Sequence, residues 1–121
     1  MLRILLIEDC ADDAELLALE LDEAGLAATW TRVAGETELL SAVDEPAHDL
    51  VVSDLGLPGF SGLRALQLVR AAQPDVPFIF LSGDPGEDAM ATALQAGANE
   101  YVHKQELARM PAVIRSVVPD A

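Results

Sequence analysis

The sequence predicts a single doubly wound α/β domain, in which five parallel strands form a sheet covered by helices on both faces. Short apolar segments alternate along the chain with longer segments of helical periodicity, which is the pattern of repeated βα units. Most of the apolar segments are continuous, as is typical of parallel strands buried on both sides. The length of 121 residues, 51% of them hydrophobic, suits one domain with a substantial core. Right-handed crossovers then favour the flavodoxin-like strand order 2-1-3-4-5.

The first βα unit is marked at both ends. Residues 2–7 form a continuous apolar segment and predict a central strand. Asp12, with Glu15 three residues later, has the arrangement of a capping box and predicts the start of a helix. The helical pattern continues over residues 14–24 and ends at Gly25, a residue type common just after helices. We therefore expect Asp12 to be the N-cap of the first helix.

The next elements include two strands of different character. Residues 28–33 alternate polar and apolar side chains, which favours a strand at the edge of the sheet. Residues 36–43 predict a short helix ended by Pro46. Residues 49–54 predict a buried strand that finishes on a carboxylate, and residues 55–61 a loop.

The remaining elements are predicted in the same way, helices from helical periodicity and strands from short apolar segments. They are helices over residues 62–72, 87–96 and 107–118, and strands over residues 78–81 and 100–103. We find no internal repeat and no linker, so residues 1–121 are expected to form one domain.

The net charge limits the partners of this chain. Seven Lys and Arg against 21 Asp and Glu give a formal charge of −14 at pH 7. Such a charge repels phosphate backbones and anionic lipids, so we expect no direct contact with nucleic acid or membrane. Glu8 and Asp9 interrupt the N-terminal apolar segment, which is too short for a signal or membrane-spanning segment. The single Cys10 cannot form an internal disulfide, which indicates a reducing, cytoplasmic setting.

Polar side chains stand at the carboxyl ends of four predicted strands. Glu8 and Asp9 follow the first strand, Asp54 ends the third, Ser82 ends the fourth and Lys104 follows the fifth. Because the carboxyl ends of parallel strands meet at one edge of a sheet, we expect these groups to share a pocket. Neighbouring carboxylates repel one another unless a cation or a proton compensates, and oxygen ligands favour a hard ion. The sequence therefore predicts a Mg²⁺ site.

The same pocket has the groups that phosphoryl transfer to an aspartate requires. A carboxylate is the nucleophile, while a metal ion and a lysine neutralise the charge of the transferred group. The product is an acyl phosphate, whose lifetime depends on how well water is positioned or excluded. A timed switch is therefore chemically available.

Four short segments carry a more specific signal. They are residues 7–9, Asp54 with residues 57–59 and 61–62, residues 81–83, and residues 96–104. Each segment alone is weak, but their order and spacing over nearly the whole chain resemble the receiver domain of two-component response regulators and hybrid sensor kinases. The resemblance implies a phosphoprotein that works in a two-component phosphorelay, and not an enzyme that acts on an external substrate. Such a domain promotes its own phosphorylation and dephosphorylation, and a longer parent chain could be a histidine kinase.

The resemblance implies a metal site and a phosphoacceptor. Asp54 is expected to become the aspartyl phosphate. Mg²⁺ is expected on Asp9, Asp54 and the carbonyl of Gly56, with Glu8 bound to the ion directly or through water.

The resemblance also implies a switch. Ser82 is expected to donate a hydrogen bond to the phosphoryl oxygens and Lys104 to pair with them. Tyr101 is expected to swing inward as Ser82 moves, which reshapes the docking face of the fourth helix, fifth strand and fifth helix. The expected partners are a histidine kinase or a histidine phosphotransfer protein as donor, and a downstream protein or linked output domain. A homodimer is compatible with the same face.

Two other functions stay open at this point. Gln105 follows Lys104, where most receivers have a proline in a cis peptide, and residues 104–113 are similar to a subgroup found in sensor kinases and PAS-linked proteins. One alternative is therefore a phosphorylation-independent docking module with a degenerate receiver fold. A Mg²⁺-dependent phosphohydrolase is disfavoured, because such enzymes place an acid two residues after the nucleophile and this chain has Gly56 there.

Overall fold

A computed structural model describes residues 1–44, 48–57, 59–83 and 87–119, and its centre is a sheet of five strands. All neighbouring strands of this sheet are parallel. In chain order the strands are β1 (Leu2–Ile7), β2 (Ala28–Val33), β3 (Leu50–Ser53), β4 (Phe78–Ser82) and β5 (Glu100–His103). Their spatial order, β2-β1-β3-β4-β5, confirms the predicted flavodoxin-like topology with β2 at one edge.

Five α-helices cover the two faces of the sheet within the described residues. Leu5 and Ile7 of β1 belong to a core formed with the second, third and fourth helices, whereas Ile4 and Leu6 face the first and fifth. All four side chains are buried, as expected for a central parallel strand. No helix among these residues has the length and apolar character that a membrane span needs. The helices are α1 (Ala11–Glu23), α2 (Glu36–Val43), α3 (Gly62–Ala72), α4 (Glu87–Gln95) and α5 (Met110–Val117).

The start of α1 differs from the prediction. Cys10, and not Asp12, is the N-cap, and its side chain makes no capping hydrogen bond. The predicted capping box of Asp12 and Glu15 is therefore wrong. The helix begins earlier because the chain turns directly after β1, which places Asp12 and Asp13 in the first helical turn, where negative charge is favourable. Gly25 follows the helix with φ of +78°, as predicted for a glycine at this position.

The segment predicted as a loop before α3 contains a short antiparallel pairing. Gly56–Leu57 pairs with Phe60–Ser61, and Pro58 between them lies outside the described residues. The segment then closes tightly onto α3, since a Cβ on Gly62 would lie 2.5 Å from the carbonyl oxygen of Asp54. Ser61 caps the helix by accepting a hydrogen bond from the Arg64 amide, at 3.1 Å.

The last predicted helix, residues 107–118, is divided in two. A 3-10 helix covers Lys104–Arg109, and α5 begins only at Met110. Pro111 explains the boundary, because a proline lacks an amide hydrogen and is tolerated in the first turn of an α-helix. No cis peptide bond occurs among the described residues, so the Lys104–Gln105 bond is trans. Pro46, the predicted end of α2, lies outside the described residues.

At the amino ends of β4 and β5, one arginine ties α3 to the sheet. The Arg70 guanidinium donates hydrogen bonds to the carbonyl oxygen of Val76, to that of Gly97 at 3.1 Å and to Oδ1 of Asn99 at 3.1 Å. The same Asn99 oxygen accepts from the Phe78 amide at 2.9 Å. We call Arg70, Asn99 and the carbonyls of Val76 and Gly97 the arginine cluster.

Candidate functional site

Four predicted site residues meet at the carboxyl edge of the sheet, namely Glu8, Asp9, Asp54 and Lys104. Backbone hydrogen bonds fix the positions from which the side chains of Glu8 and Asp54 extend. The Glu8 amide donates to the Val33 carbonyl and the Asp54 amide to the Ile7 carbonyl, each at 2.9 Å. Arg32 of β2 also donates to the Glu8 carbonyl, at 3.1 Å. The loop after β1 and the end of β3 are thereby fixed side by side.

The carboxylates of Glu8, Asp9 and Asp54 form a group that could hold a metal ion. One oxygen of each lies within 4.8 Å of the others. Glu8 is only 4% exposed, and its Oε2 has no hydrogen-bond partner among the described residues. A buried oxygen left in this way is costly, and a cation beside it would remove the cost. The residues therefore fit a hard divalent cation such as Mg²⁺, which prefers oxygen ligands.

The ammonium group of Lys104 lies within the same group of carboxylates. Its Nζ is 2.6 Å from Oε1 of Glu8, 2.6 Å from Oδ2 of Asp13 and 3.0 Å from Oδ2 of Asp54. An ammonium group has three hydrogens, and each has one carboxylate oxygen here. Lys104 is thus a cation already present at the predicted metal and phosphoryl site.

Burial and the lysine act in opposite directions on the titrating groups. Burial raises the pKa of the Glu8 carboxyl to about 7, although the hydrogen bond with Lys104 favours the charged form. The hydrogen bond with Lys104 lowers the pKa of Asp13. Burial disfavours the charged form of Lys104, but its hydrogen bonds to Asp13, Glu8 and Asp54 outweigh this and raise its pKa. The lysine is therefore charged, while Glu8 titrates near neutral pH.

Ser82, Tyr101 and Gly56 lie around this centre. Ser82 ends β4, is buried, and is opposite His103 in the sheet, one residue before the lysine. The Tyr101 ring is buried, with centroids 6.4 Å from Phe80 and 5.4 Å from His103. The Gly56 amide donates to Oδ1 of Asp54 at 3.3 Å. The roles of these residues in switching and metal binding stay predictions.

The family is decided by the extent of one match. Residues 4–115, most of the chain, match the response regulator receiver domain. The chain belongs to this family. The fold and the resemblance predicted from the sequence are thereby confirmed, and receiver domains are signalling domains.

Relatives of the receiver domain include longer regulators. The chain is 37% identical over 118 residues to the transcriptional regulatory protein YkoG of Bacillus subtilis. This match covers 93% of the present chain and 51% of YkoG. The chain is also 34% identical over 119 residues to the cell cycle transcriptional regulator CtrA of Caulobacter vibrioides, and this match covers 94% of the present chain and 51% of CtrA. The chain thus spans about half the length of these curated relatives. Because both relatives are named as transcriptional regulators, these matches give no support to the expectation that the chain makes no direct contact with nucleic acid.

A solved structure bears on the metal. The receiver domain of a sensor histidine kinase from Pseudomonas aeruginosa, with magnesium coordinated in its active site cleft, is 25% identical to this chain. The TM-score is 0.83, and the match covers 98% of each chain. In the present receiver domain, the carboxylates of Glu8, Asp9 and Asp54 could hold a metal ion, and the cleft of that neighbour contains magnesium.

Sequence reasoning missed Asp13 of this receiver domain. Asp12 was expected to cap the helix, which placed Asp13 in an ordinary first turn. With Cys10 as the N-cap, Asp13 is the third helical residue, at the edge of the sheet where β1 ends. A correct N-cap would have shown a fourth carboxylate near Glu8 and Asp9. Its contact with Lys104 spans 91 residues and has no local signal.

Proposed function

We propose that this receiver domain accepts a phosphoryl group on Asp54 from a phosphohistidine of a histidine kinase or histidine phosphotransfer protein. The observation that carries the proposal is the position of Lys104, whose Nζ is 3.0 Å from Oδ2 of Asp54 and also touches the buried Glu8. An ammonium beside the acceptor carboxylate is what a transferred phosphoryl group needs for charge neutralisation. The family supports the donor class.

In the proposed transfer, a carboxylate oxygen of Asp54 attacks the phosphorus. The oxygen–phosphorus bond forms as the nitrogen–phosphorus bond of the phosphohistidine breaks, and the imidazole leaves with the bonding electrons. Mg²⁺ held by Glu8, Asp9, Asp54 and the Gly56 carbonyl would neutralise charge on the transferred group. Lys104 exchanges its bond to the Asp54 carboxylate for one to a phosphoryl oxygen, and Ser82 donates a hydrogen bond from the neighbouring strand.

Signalling is proposed to follow from Ser82 and Tyr101. Tyr101 lies opposite Phe80 in the register of β4 and β5, two residues before the pair of Ser82 and His103. A displacement of Ser82 toward the phosphoryl group is thereby passed to the packing of Tyr101. The surface of α4, β5 and α5 would then change shape for a downstream protein, a linked output domain or a second copy of the chain.

The wider setting is also part of the proposal. Residues 1–121 are proposed to form one receiver unit that works in the cytoplasm and turns over no external substrate. With a charge of −14, this unit itself is not expected to touch nucleic acid or membrane. A DNA-binding output, if one is linked, would be a separate part of the protein.

The test is the intact mass after incubation with acetyl phosphate and Mg²⁺. The wild-type chain should gain one phosphate, and Asp54→Asn should gain none. Asp22→Asn, an exposed aspartate of α1, is the matched control and should behave as wild type. A wild type that gains no phosphate from acetyl phosphate or from a phosphorylated phosphotransfer protein would contradict the proposal.

A phosphorylation-independent docking module is the second candidate. It is favoured by the three hydrogen bonds of Lys104, which satisfy the ammonium without a phosphoryl group. For this function, partner binding should be unchanged by beryllofluoride and by Asp54→Ala. Binding that changes with either one decides for the phosphoacceptor.

A further inference from the structure

Asp13 is a fourth carboxylate of the site, and the proposed chemistry gives it no role. It lies in the first turn of α1, and its side chain is 36% exposed. Its Oδ2 is 2.6 Å from Nζ of Lys104, as short as the bond from Glu8 and shorter than that from Asp54. This ion pair lies at the carboxyl edge of the sheet, beside the proposed phosphoacceptor.

The three partners of the lysine differ in one respect. Glu8 and Asp54 also belong to the group of carboxylates that fits a divalent cation, whereas Asp13 does not. A cation held by Glu8 and Asp54 repels the ammonium and weakens two of its three bonds. Asp13 is then the one carboxylate among its three partners that Lys104 does not share with the metal.

We propose that Asp13 is a positioning residue, whose carboxylate keeps the ammonium of Lys104 in the site when a divalent cation occupies Glu8, Asp9 and Asp54. The inference rests on one part of the proposed function, the divalent-cation site of Glu8, Asp9 and Asp54. Asp13 takes part of the hydrogen bonding of the lysine away from Glu8 and Asp54. Cation and lysine can then occupy the site together, where each would otherwise compete for the same oxygens.

The neighbouring Asp12 supplies a matched control. It lies in the same helical turn, is exposed, and is not within ion-pair distance of any positively charged group of the described chain. Asp12→Asn and Asp13→Asn remove the same charge from the same turn of α1. The two differ in the bond to Lys104, so a difference between them measures that bond.

The first experiment is a calorimetric titration of the full chain with Mg²⁺. Asp13→Asn should weaken Mg²⁺ binding by about fivefold, the effect expected from the loss of a partly exposed ion pair. Without Asp13, Lys104 bonds only to Glu8 and Asp54 and competes with Mg²⁺ for their oxygens. Asp12→Asn should change the Kd by less than about twofold, as expected for a screened charge. Asp13→Glu should recover most of the affinity. Thermal unfolding shows whether each variant is folded.

The second experiment asks whether Asp13 acts through the lysine. In a Lys104→Met chain, Asp13→Asn should weaken Mg²⁺ binding no more than Asp12→Asn does. A crystal structure of the wild type with Mg²⁺ should retain a hydrogen bond between Lys104 and Asp13, and this measurement needs no variant to fold.

The outcomes separate the inference from the proposed function. Equal Kd values for Asp13→Asn and Asp12→Asn, or a lysine that leaves Asp13 when Mg²⁺ binds, would overturn the inference alone. A wild type that binds Mg²⁺ with these effects but takes up no phosphate would overturn the proposed function and leave the inference standing. A wild type that binds no Mg²⁺ would overturn both.

Discussion

The two edges of the sheet treat charge in opposite ways. At the amino edge, the arginine cluster surrounds one guanidinium with neutral acceptors, and the Asn99 oxygen accepts from both Arg70 and the Phe78 amide. At the carboxyl edge, the ammonium of Lys104 contacts the carboxylates of Glu8, Asp13 and Asp54, and the carboxylate of Asp9 lies close to two of these. One buried oxygen of Glu8 has no partner among the described residues. The amino edge is complete by itself, whereas the carboxyl edge is complete only with a proton or a cation.

The comparison separates what the edges contribute. Hydrogen bonds from a charged group to neutral acceptors stabilise a fold, most of all where the bond is partly buried, as it is between Arg70 and the Val76 carbonyl. Like charges held together destabilise it, and persist where a ligand compensates them. The arginine cluster is thus expected to contribute stability, and the carboxylates to reduce it in the absence of a cation.

The largest effect on stability is expected at the amino edge. Arg70→Ala should lower the free energy of unfolding by about 2 kcal/mol, because several hydrogen bonds to a charged group are lost together. Urea denaturation measures the change. Arg64→Ala is the control, since its ion pair with Glu36 is exposed and should contribute about 0.5 kcal/mol. Equal losses in the free energy of unfolding for the two variants would show that the arginine cluster contributes no more stability than an exposed ion pair.

At the carboxyl edge the opposite sign is expected. Glu8→Gln should stabilise the metal-free protein at pH 8 by about 1 to 2 kcal/mol, because a neutral amide replaces a carboxylate that is costly to ionise. The pKa of Glu8 is raised from 4.5 to about 7, so the folded state binds the proton more tightly than the unfolded state. The cost of Glu8 is therefore full above pH 7 and is lost as the pH falls toward 4.5.

Urea denaturation at pH 8 and at pH 5 tests this sign. The advantage of Glu8→Gln should shrink at the lower pH, and Mg²⁺ should stabilise the wild type more than the variant. A variant that is less stable than wild type at pH 8 would mean that the bond between Glu8 and Lys104 outweighs the burial of the carboxylate.

These two edges were not equally visible in the sequence. The strands and the five residues at their carboxyl ends follow from apolar periodicity, because burial on both faces demands continuous apolar segments and parallel strands end at one edge. Asp13 and the arginine cluster depend on contacts between distant segments, such as Arg70 with Asn99, which no local pattern records. The N-cap of α1 was predicted wrongly because Asp12 and Glu15 fit a local rule, whereas the turn after β1 decides where the helix begins.

The affinity for Mg²⁺ should depend on pH through Glu8. A proton and a cation compete for this carboxyl, whose pKa is about 7 in the metal-free protein. The Kd for Mg²⁺ should therefore be about tenfold higher at pH 6 than at pH 8, the ratio expected for one competing proton. Calorimetry at both values measures it. Glu8→Gln should bind more weakly and lose most of the dependence, and a variant with the wild-type profile would assign the titration to another group.

The smallest effect concerns the helix that begins at the site. Cys10 is the N-cap of α1 without a capping hydrogen bond, and Asp13 stands three residues later, where a capping box places its second member. A serine accepts the hydrogen bond from the third amide well, so Cys10→Ser should raise the free energy of unfolding by about 0.5 kcal/mol. Because the Asp13 carboxylate is bound to Lys104, the affinity for Mg²⁺ should stay unchanged. A serine that stabilises the helix but weakens Mg²⁺ binding would contradict this expectation. It would show that capping of α1 competes with the ion pair between Asp13 and Lys104, and that the native N-cap lowers stability in order to preserve that ion pair.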